Sequence, residues 1–314
     1  MLSLLLAACR DPSTPEDPSD PTGSDTAADP TDPTDPTPTE STPTGQVDPD
    51  VSNYLPEGYV PVEPTRILFL GDSITEGYGA SSASLKYTAL LGENSPQWPG
   101  FDEVDFETTY PTLTEVVDVS EGGATTGLLL SRQLPDLEEA LTFPVSGETI
   151  VVITIAGNDL QAALIPFANA EVIVDRALEN FGVIADYFLD PAKFPDGVYL
   201  YATNVYEPTD GVGQSQSCFF GVDYSEELPE LDRFNAELAA MGEERGFAVL
   251  DLRGHFLGHG YYSDLPQVPN YDASDPTLWF ASDCIHPNDR GHHELRRLVH
   301  AAVLGEELEY RLPE

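Results

Sequence analysis

Between residues 66 and 303 short apolar runs alternate with stretches of helical spacing, and that alternation leaves few architectures open. Runs of this length read as strands at 66–70, 115–119, 149–155, 198–202 and 247–252. Between the third and fourth, Asn169 is placed to cap a helix whose Val174, Leu178, Phe181, Ala185 and Phe188 share one face. Further helices are expected at 231–245 and 291–303. The expected fold class is α/β: a three-layer α/β/α sandwich around a central, mostly parallel five-stranded sheet.

The pattern starts late in the chain. Residues 10–53 are Pro, Thr, Asp, Ser and Gly with repeats such as Asp29-Pro-Thr-Asp-Pro-Thr, and they offer too little apolar surface to offset ordering. They are expected to form a disordered, extended linker ahead of a folded domain at 54–314. Ahead of the linker, residues 1–9 are apolar and close on Leu6-Ala7-Ala8-Cys9, which resembles a lipoprotein cleavage site with Cys9 as the acylated residue. The protein is therefore expected outside the cytoplasm, at an outer membrane or cell surface, touching membrane only through a lipid at Cys9. Lipidation would leave Cys218 and Cys284 as a possible disulfide; it would close a loop of about 65 residues, worth about 4 kcal/mol in the chain-entropy picture. Two free buried thiols are the alternative. Asp and Glu outnumber Lys and Arg by 55 to 13, a formal charge of −42, which repels phosphate backbones and excludes nucleic acid as a partner.

Ligands of such sheets bind beyond the carboxyl ends of the strands, so the loops there carry the chemistry. After the first strand comes Gly71-Asp72-Ser73-Ile74, a serine on a tight turn. The second is followed by Glu121-Gly122-Gly123-Ala124-Thr125, whose amides can point outward as donors. The third leads into Ala156-Gly157-Asn158-Asp159. Near the C-terminus, Asp283-Cys284-Ile285-His286-Pro287 sets a carboxylate three residues before a histidine, a spacing that shares one side of a helical turn. Each motif alone is more often a turn, a cap or a surface pair. Elsewhere, His255 and His259 lack a completing ligand set and read as structural, in a loop because of the intervening glycines. His292 and His293 are expected to pack or cap the last helix. Trp98, Trp279 and Tyr271 suit either a sugar-binding cleft or a buried core.

In this order, the four motifs resemble the SGNH, or GDSL, hydrolase family over about residues 66–303, through Ser73, Gly123, Asn158 and His286. Gly122 competes with Gly123 for its place, because Asp118 departs from the small polar residue usual there. The resemblance implies a flavodoxin-like SGNH fold and a serine esterase needing no cofactor or metal. Ser73 would be the nucleophile, His286 its base and Asp283 the orienting acid, with the Ser73 and Gly123 amides and the Asn158 side chain as the oxyanion hole. The phrase Glu207-Pro-Thr-Asp-Gly211 is also familiar from family members and is assigned no chemistry. The expected partner is an ester substrate, whether small molecule, polysaccharide or lipid, and the protein is expected to be a monomer. A short acyl or carbohydrate O-acetyl ester is favoured, with lipase, lysophospholipase or thioesterase as same-family alternatives and a non-catalytic surface-binding lipoprotein as the alternative of another class.

Overall fold

Alternate residues of a strand face opposite sides of a sheet, so a strand that is apolar at every position requires cover on both faces. This is the condition of β1 (Pro64–Gly71), whose Ile67, Leu68, Phe69 and Leu70 are all buried. The computed structural model describes residues 54–101, 104–163, 168–214 and 222–306. In it β1 pairs in parallel with β2 (Glu115–Asp118) on one side and β3 (Glu148–Thr154) on the other, and β4 (Val198–Thr203) and β5 (Ala248–Leu250) continue the sheet. The order is β2-β1-β3-β4-β5, and every pairing is parallel.

The α-helices of the described residues are α1 (Ser73–Glu76), α2 (Tyr87–Gly92), α3 (Phe106–Thr109), α4 (Thr126–Leu128), α5 (Leu134–Ala140), α6 (Gly157–Ala163), α7 (Ala170–Phe188), α8 (Leu228–Arg245), α9 (Leu252–Phe256) and α10 (Asp289–Leu304). A π-helical turn, Leu129–Gln133, joins α4 to α5. Leu68, Leu70, Val151, Ile153, Leu200 and Ala202 form one core with α5, α7 and α8. Ile67, Phe69, Ile150, Val152, Tyr201 and Leu250 form the other, with α2, α9 and α10. The expected three layers are thus present. No described helix is long and apolar enough to cross a membrane.

Element ends follow local chemistry. Asn169 caps α7 as expected, its side chain accepting from the Val172 amide. Val174, Ala177, Leu178, Phe181, Ala185 and Phe188 of this helix are buried. Strand β5 is shorter than its apolar run because Asp251 turns the chain into α9 by accepting the Gly254 amide at 2.8 Å. Helix α8 starts three residues early, at Leu228, with Pro229 in its first turn, where a missing N–H costs nothing.

The Glu207–Gly211 phrase has a structural role. Glu207 accepts from the Thr209 amide (2.8 Å), the Thr209 hydroxyl and the Gly211 amide, while Asp210 accepts from the amides of Gly258 (3.0 Å), Gly260 (2.7 Å) and Tyr262 (3.0 Å). One buried side chain thereby orders the loop after α9. Burial pushes the Asp210 carboxyl up to about 6, against the pull of those amides.

Strand ends also leave backbone groups to satisfy, and amide side chains meet them. Asn235 brackets Val205, accepting from its N–H and donating to its carbonyl, both at 2.9 Å. Buried Gln133 does the same to Gly71, at 2.9 and 2.7 Å. The Gly71 carbonyl keeps a second donor in the Glu121 amide (3.1 Å), whereas its N–H depends on Gln133. Gln133→Leu should therefore orphan one buried N–H and lower stability by about 2 kcal/mol, read from the urea midpoint at unchanged m-value. An unchanged midpoint would refute the clasp.

Candidate active site

The switch in strand order falls between β1 and β3, and the serine turn lies at the carboxyl end of β1. Gly71 has φ +139°, and a Cβ there would sit 2.1 Å from the Thr154 carbonyl oxygen of β3, so only glycine lets the two backbones approach. Asp72 ends the strand and caps α1, its Oδ1 accepting from the Ile74 amide at 3.0 Å. Ser73 is the first residue of that helix, where a backbone N–H has no intrahelical acceptor. Below it, the Thr75 hydroxyl meets those of Thr154 (2.6 Å) and Tyr87 (2.9 Å) in a buried group. Burial pushes the Asp72 carboxyl up to about 7, against the Ile74 amide and the His286 charge, which both pull it down.

The histidine arrives from 213 residues away. Its ring lies with Nε2 2.8 Å from Ser73 Oγ and Nδ1 2.6 Å from Asp283 Oδ2. Asp283 Oδ1 also accepts the amides of Ile285 and His286, each at 3.0 Å. The expected helical turn is absent: Cys284 adopts a left-handed φ of +67°, so the Asp283–His286 segment is a non-helical turn closed by the carboxylate itself. Partial burial raises the Asp283 pKa, but the His286 ring and the two amides outweigh it and hold the carboxyl at about 2. An ionised Asp283 is an acceptor, so the hydrogen belongs on Nδ1, which leaves Nε2 to accept from the Ser73 hydroxyl.

The turn is braced from several directions. Tyr206 donates its hydroxyl to the Ile285 carbonyl at 2.7 Å, and Tyr261 donates to Ala281. From the serine side, the Ser81 amide and hydroxyl both reach Asp289 at 2.7 Å, and Gly79 (φ +88°) abuts the Pro287 carbonyl. Buried His292 donates from Nε2 to the Tyr78 carbonyl at 2.9 Å; burial lowers its pKa to about 4, so it is neutral near pH 7. Helix α10 thus packs through His292, as expected, and His293 stacks on Trp98 with ring centroids 3.8 Å apart.

The glycine loop distinguishes its two glycines. The Gly122 amide is held by Glu76 Oε2 at 2.6 Å and is unavailable to a ligand, whereas that of Gly123 (φ +80°) has no acceptor among the described residues. Asp118 ion-pairs with Lys86 at 3.2 Å and accepts from Ser120, fixing the approach to this loop. Asn158 donates one amide hydrogen to the Ala124 carbonyl at 2.9 Å, leaving the other unused by that bond. The preceding Ala156 has φ +85°, a left-handed conformation that costs about 1–2 kcal/mol in a non-glycine residue. Asp159 accepts both the amide and hydroxyl of Thr126 at 2.9 Å, joining this loop to α4. A serine hydroxyl, a base, an orienting carboxylate and amide donors from three loops are arrangements that can attack an acyl carbon and hold its oxyanion.

Gln133, Glu76 and Gly79 escaped sequence reasoning, since their partners lie 62, 46 and 208 residues away. Only the Gly77-Tyr78-Gly79 spacing hinted at left-handed backbone. Trp279 is fully buried and stacked on His259 at 3.5 Å, and Trp98 is buried too, so neither lines a cleft. His255 lies on α9, not in a loop, and bonds Glu294 at 3.1 Å. Cys284 is disulfide-bonded. Cys9 and Cys218 lie outside the described residues.

Comparison with known proteins supplies independent context. The model of the GDSL-like lipase/acylhydrolase family matches residues 69–294. No curated protein matches the sequence significantly. Among solved structures, a single-substitution variant of an acetyl xylan esterase from Geobacillus stearothermophilus superposes with a TM-score of 0.52 at 19% identity, covering 80% of this chain and 100% of its own. A second acetyl xylan esterase, AlAXEase, gives a TM-score of 0.52 at 17% identity, covering 76% and 99%. At such identities the likeness is one of fold.

Gly79→Ala should drive a Cβ to 2.1 Å from the Pro287 oxygen and move the His286 turn. Hydrolysis of p-nitrophenyl acetate is expected to fall by on the order of 10²-fold, as for a misplacement of about 1 Å. Gly58→Ala shares the positive φ but meets nothing within 4 Å, so it should lose stability without losing activity. Equal activity of the two variants would refute the bracing contact.

Proposed function

The chain belongs to the GDSL-like lipase/acylhydrolase family and is an ester hydrolase, and from that premise we propose that Ser73, His286 and Asp283 carry a two-step, acyl-enzyme reaction. The observation that carries the reading is the continuous chain from Asp283 through His286 to Ser73, at 2.6 and 2.8 Å.

Serine is a poor nucleophile at its own pKa, so its proton must leave as it attacks. Ser73 Oγ bonds the acyl carbon while its proton passes to His286 Nε2, and the carbonyl electrons move onto oxygen. The Ser73 and Gly123 amides and Asn158 Nδ2 receive that oxyanion, each donor contributing about 3 kcal/mol to the transition state. His286 then protonates the departing alcohol, and the acyl group remains on Ser73. In the second step water attacks the acyl carbon, gives its proton to His286, and the acid leaves as Ser73 regains a proton. Asp283, ionised down to about pH 2, stabilises the imidazolium in both steps.

For the substrate we favour a short acyl group, acetyl above all, on a carbohydrate. The Asp283 side chain is 43% exposed, which suits an ester projecting from a large polar molecule better than an enclosed acyl tunnel. Two proteins of the same fold act on acetyl xylan. The carboxylates of Glu76, on the serine turn, and Asp283, beside it, disfavour anionic esters.

Ser73→Ala should abolish hydrolysis and labelling by a fluorophosphonate without changing the far-UV spectrum, and the wild-type enzyme should prefer p-nitrophenyl acetate to the octanoate. Retained activity would sink the nucleophile, and an octanoate preference would sink the acetyl reading. Lipid anchoring is proposed on the sequence of residues 6–9 and the linker behind it. Expressed with a functional leader, the Cys9→Ser protein should move from the membrane to the soluble fraction, and unchanged partitioning would reject the anchor.

A further inference from the structure

Tyr78 is one of the few large hydrophobic side chains left exposed among the described residues, at 49%, and it stands beside the candidate triad. Its ring centroid lies 5.3 Å from that of His286, tilted by 38°. A Cβ built on Gly122 would come within 3.4 Å of its Cε2. The ring therefore neighbours both the histidine and the glycine loop while half of the residue stays in solvent.

The backbone beneath it is fixed. Its N–H donates to the Ser73 carbonyl at 2.9 Å, and its own carbonyl accepts from buried His292 at 2.9 Å. Gly77 and Gly79 on either side hold left-handed conformations, and each is packed against a neighbour, Lys86 and the Pro287 carbonyl respectively. An aromatic ring that remains half in water on so constrained a segment is a surface prepared for something flat.

Reaction geometry says which part of the substrate meets it. The carbonyl oxygen must lie toward the amide donors, while the leaving oxygen must lie within reach of His286 Nε2, which protonates it. A ring beside His286 consequently faces the alcohol portion of the ester. We propose that Tyr78 is a specificity-determining residue, an aromatic platform on which the sugar ring of the alcohol portion rests during attack. This inference rests on the ester hydrolysis by Ser73 proposed above and extends it to the group that leaves.

The test compares three monoacetates that differ only in alcohol: a mono-O-acetyl methyl xyloside, phenyl acetate and ethyl acetate, the last offering no face to stack. For Tyr78→Ala, kcat/KM for the first two relative to ethyl acetate is expected to fall about tenfold, through KM. Tyr78→Phe keeps the ring face and should restore that ratio to within about twofold of the wild type. No change in the ratio overturns the proposal. So does a parallel loss of kcat on all three esters, because the ring would then be positioning His286. If the wild-type enzyme cleaves phenyl acetate but not the xyloside, the carbohydrate reading and the sugar platform both fail, and a changed phenyl-to-ethyl ratio would still show that the ring meets the alcohol. If Ser73→Ala retains full activity, the failure belongs to the nucleophile and not to Tyr78.

Discussion

The structure turns on the close parallel approach of β1 and β3 at their carboxyl ends. Gly71 and Thr154 are register partners there, and the space between them admits no side chain. Because β2 lies on one side of β1 and β3 on the other, the chain leaves these strands toward opposite sides and opens a crevice. Ser73 follows one strand and Asn158 the other, so one backbone contact sets the distance between the nucleophile turn and a candidate oxyanion donor. Gln133 and the Thr75 hydroxyl group then secure the turn from below.

The histidine is held by a second set of contacts, nearly all polar. Helix α10 is unusual in burying Glu294, Arg296 and Arg297 as well as His292 and His293. Such groups are costly to desolvate and persist only when paired. Burial raises the Glu294 carboxyl, but the His255 bond and the Arg297 and Arg290 charges prevail and hold it at about 2, an ionised group throughout the neutral range. Directional bonds fix orientation better than apolar contact does. Through His292 to Tyr78 and Asp289 to Ser81, that rigidity reaches the loop carrying both the exposed tyrosine and the serine turn.

Much of this was legible in the residues. Strands β1, β3, β4 and β5 were readable because burial on both faces writes a near-continuous apolar run, whereas the edge strand β2 has no buried residue and was marked only by its paired valines. Helix α7 was readable because its buried face repeats with helical period and begins on a capping Asn169. The Asp283-x-x-His286 pair was legible as a pair but not in its geometry. Spacing suggests a helical turn, whereas a left-handed Cys284 and the Asp283 carboxylate close a different one. Trp98 and Trp279 illustrate the same limit, since residue type cannot distinguish a cleft-lining aromatic from one stacked on a histidine in the core.

What the sequence alone determined was the α/β class, the sheet members and the residue types that reach the serine crevice, because apolar periodicity and motif chemistry are local properties of the chain. Tertiary structure distinguished the amides of Gly122 and Gly123, since only the folded chain brings Glu76 across 46 residues to occupy the first, while the second has no acceptor among the described residues. It likewise decided that Tyr78 stands beside His286 rather than elsewhere on the surface. Both decisions come from contacts between distant segments, and no local pattern encodes the distance between side chains that meet only after the sheet has formed.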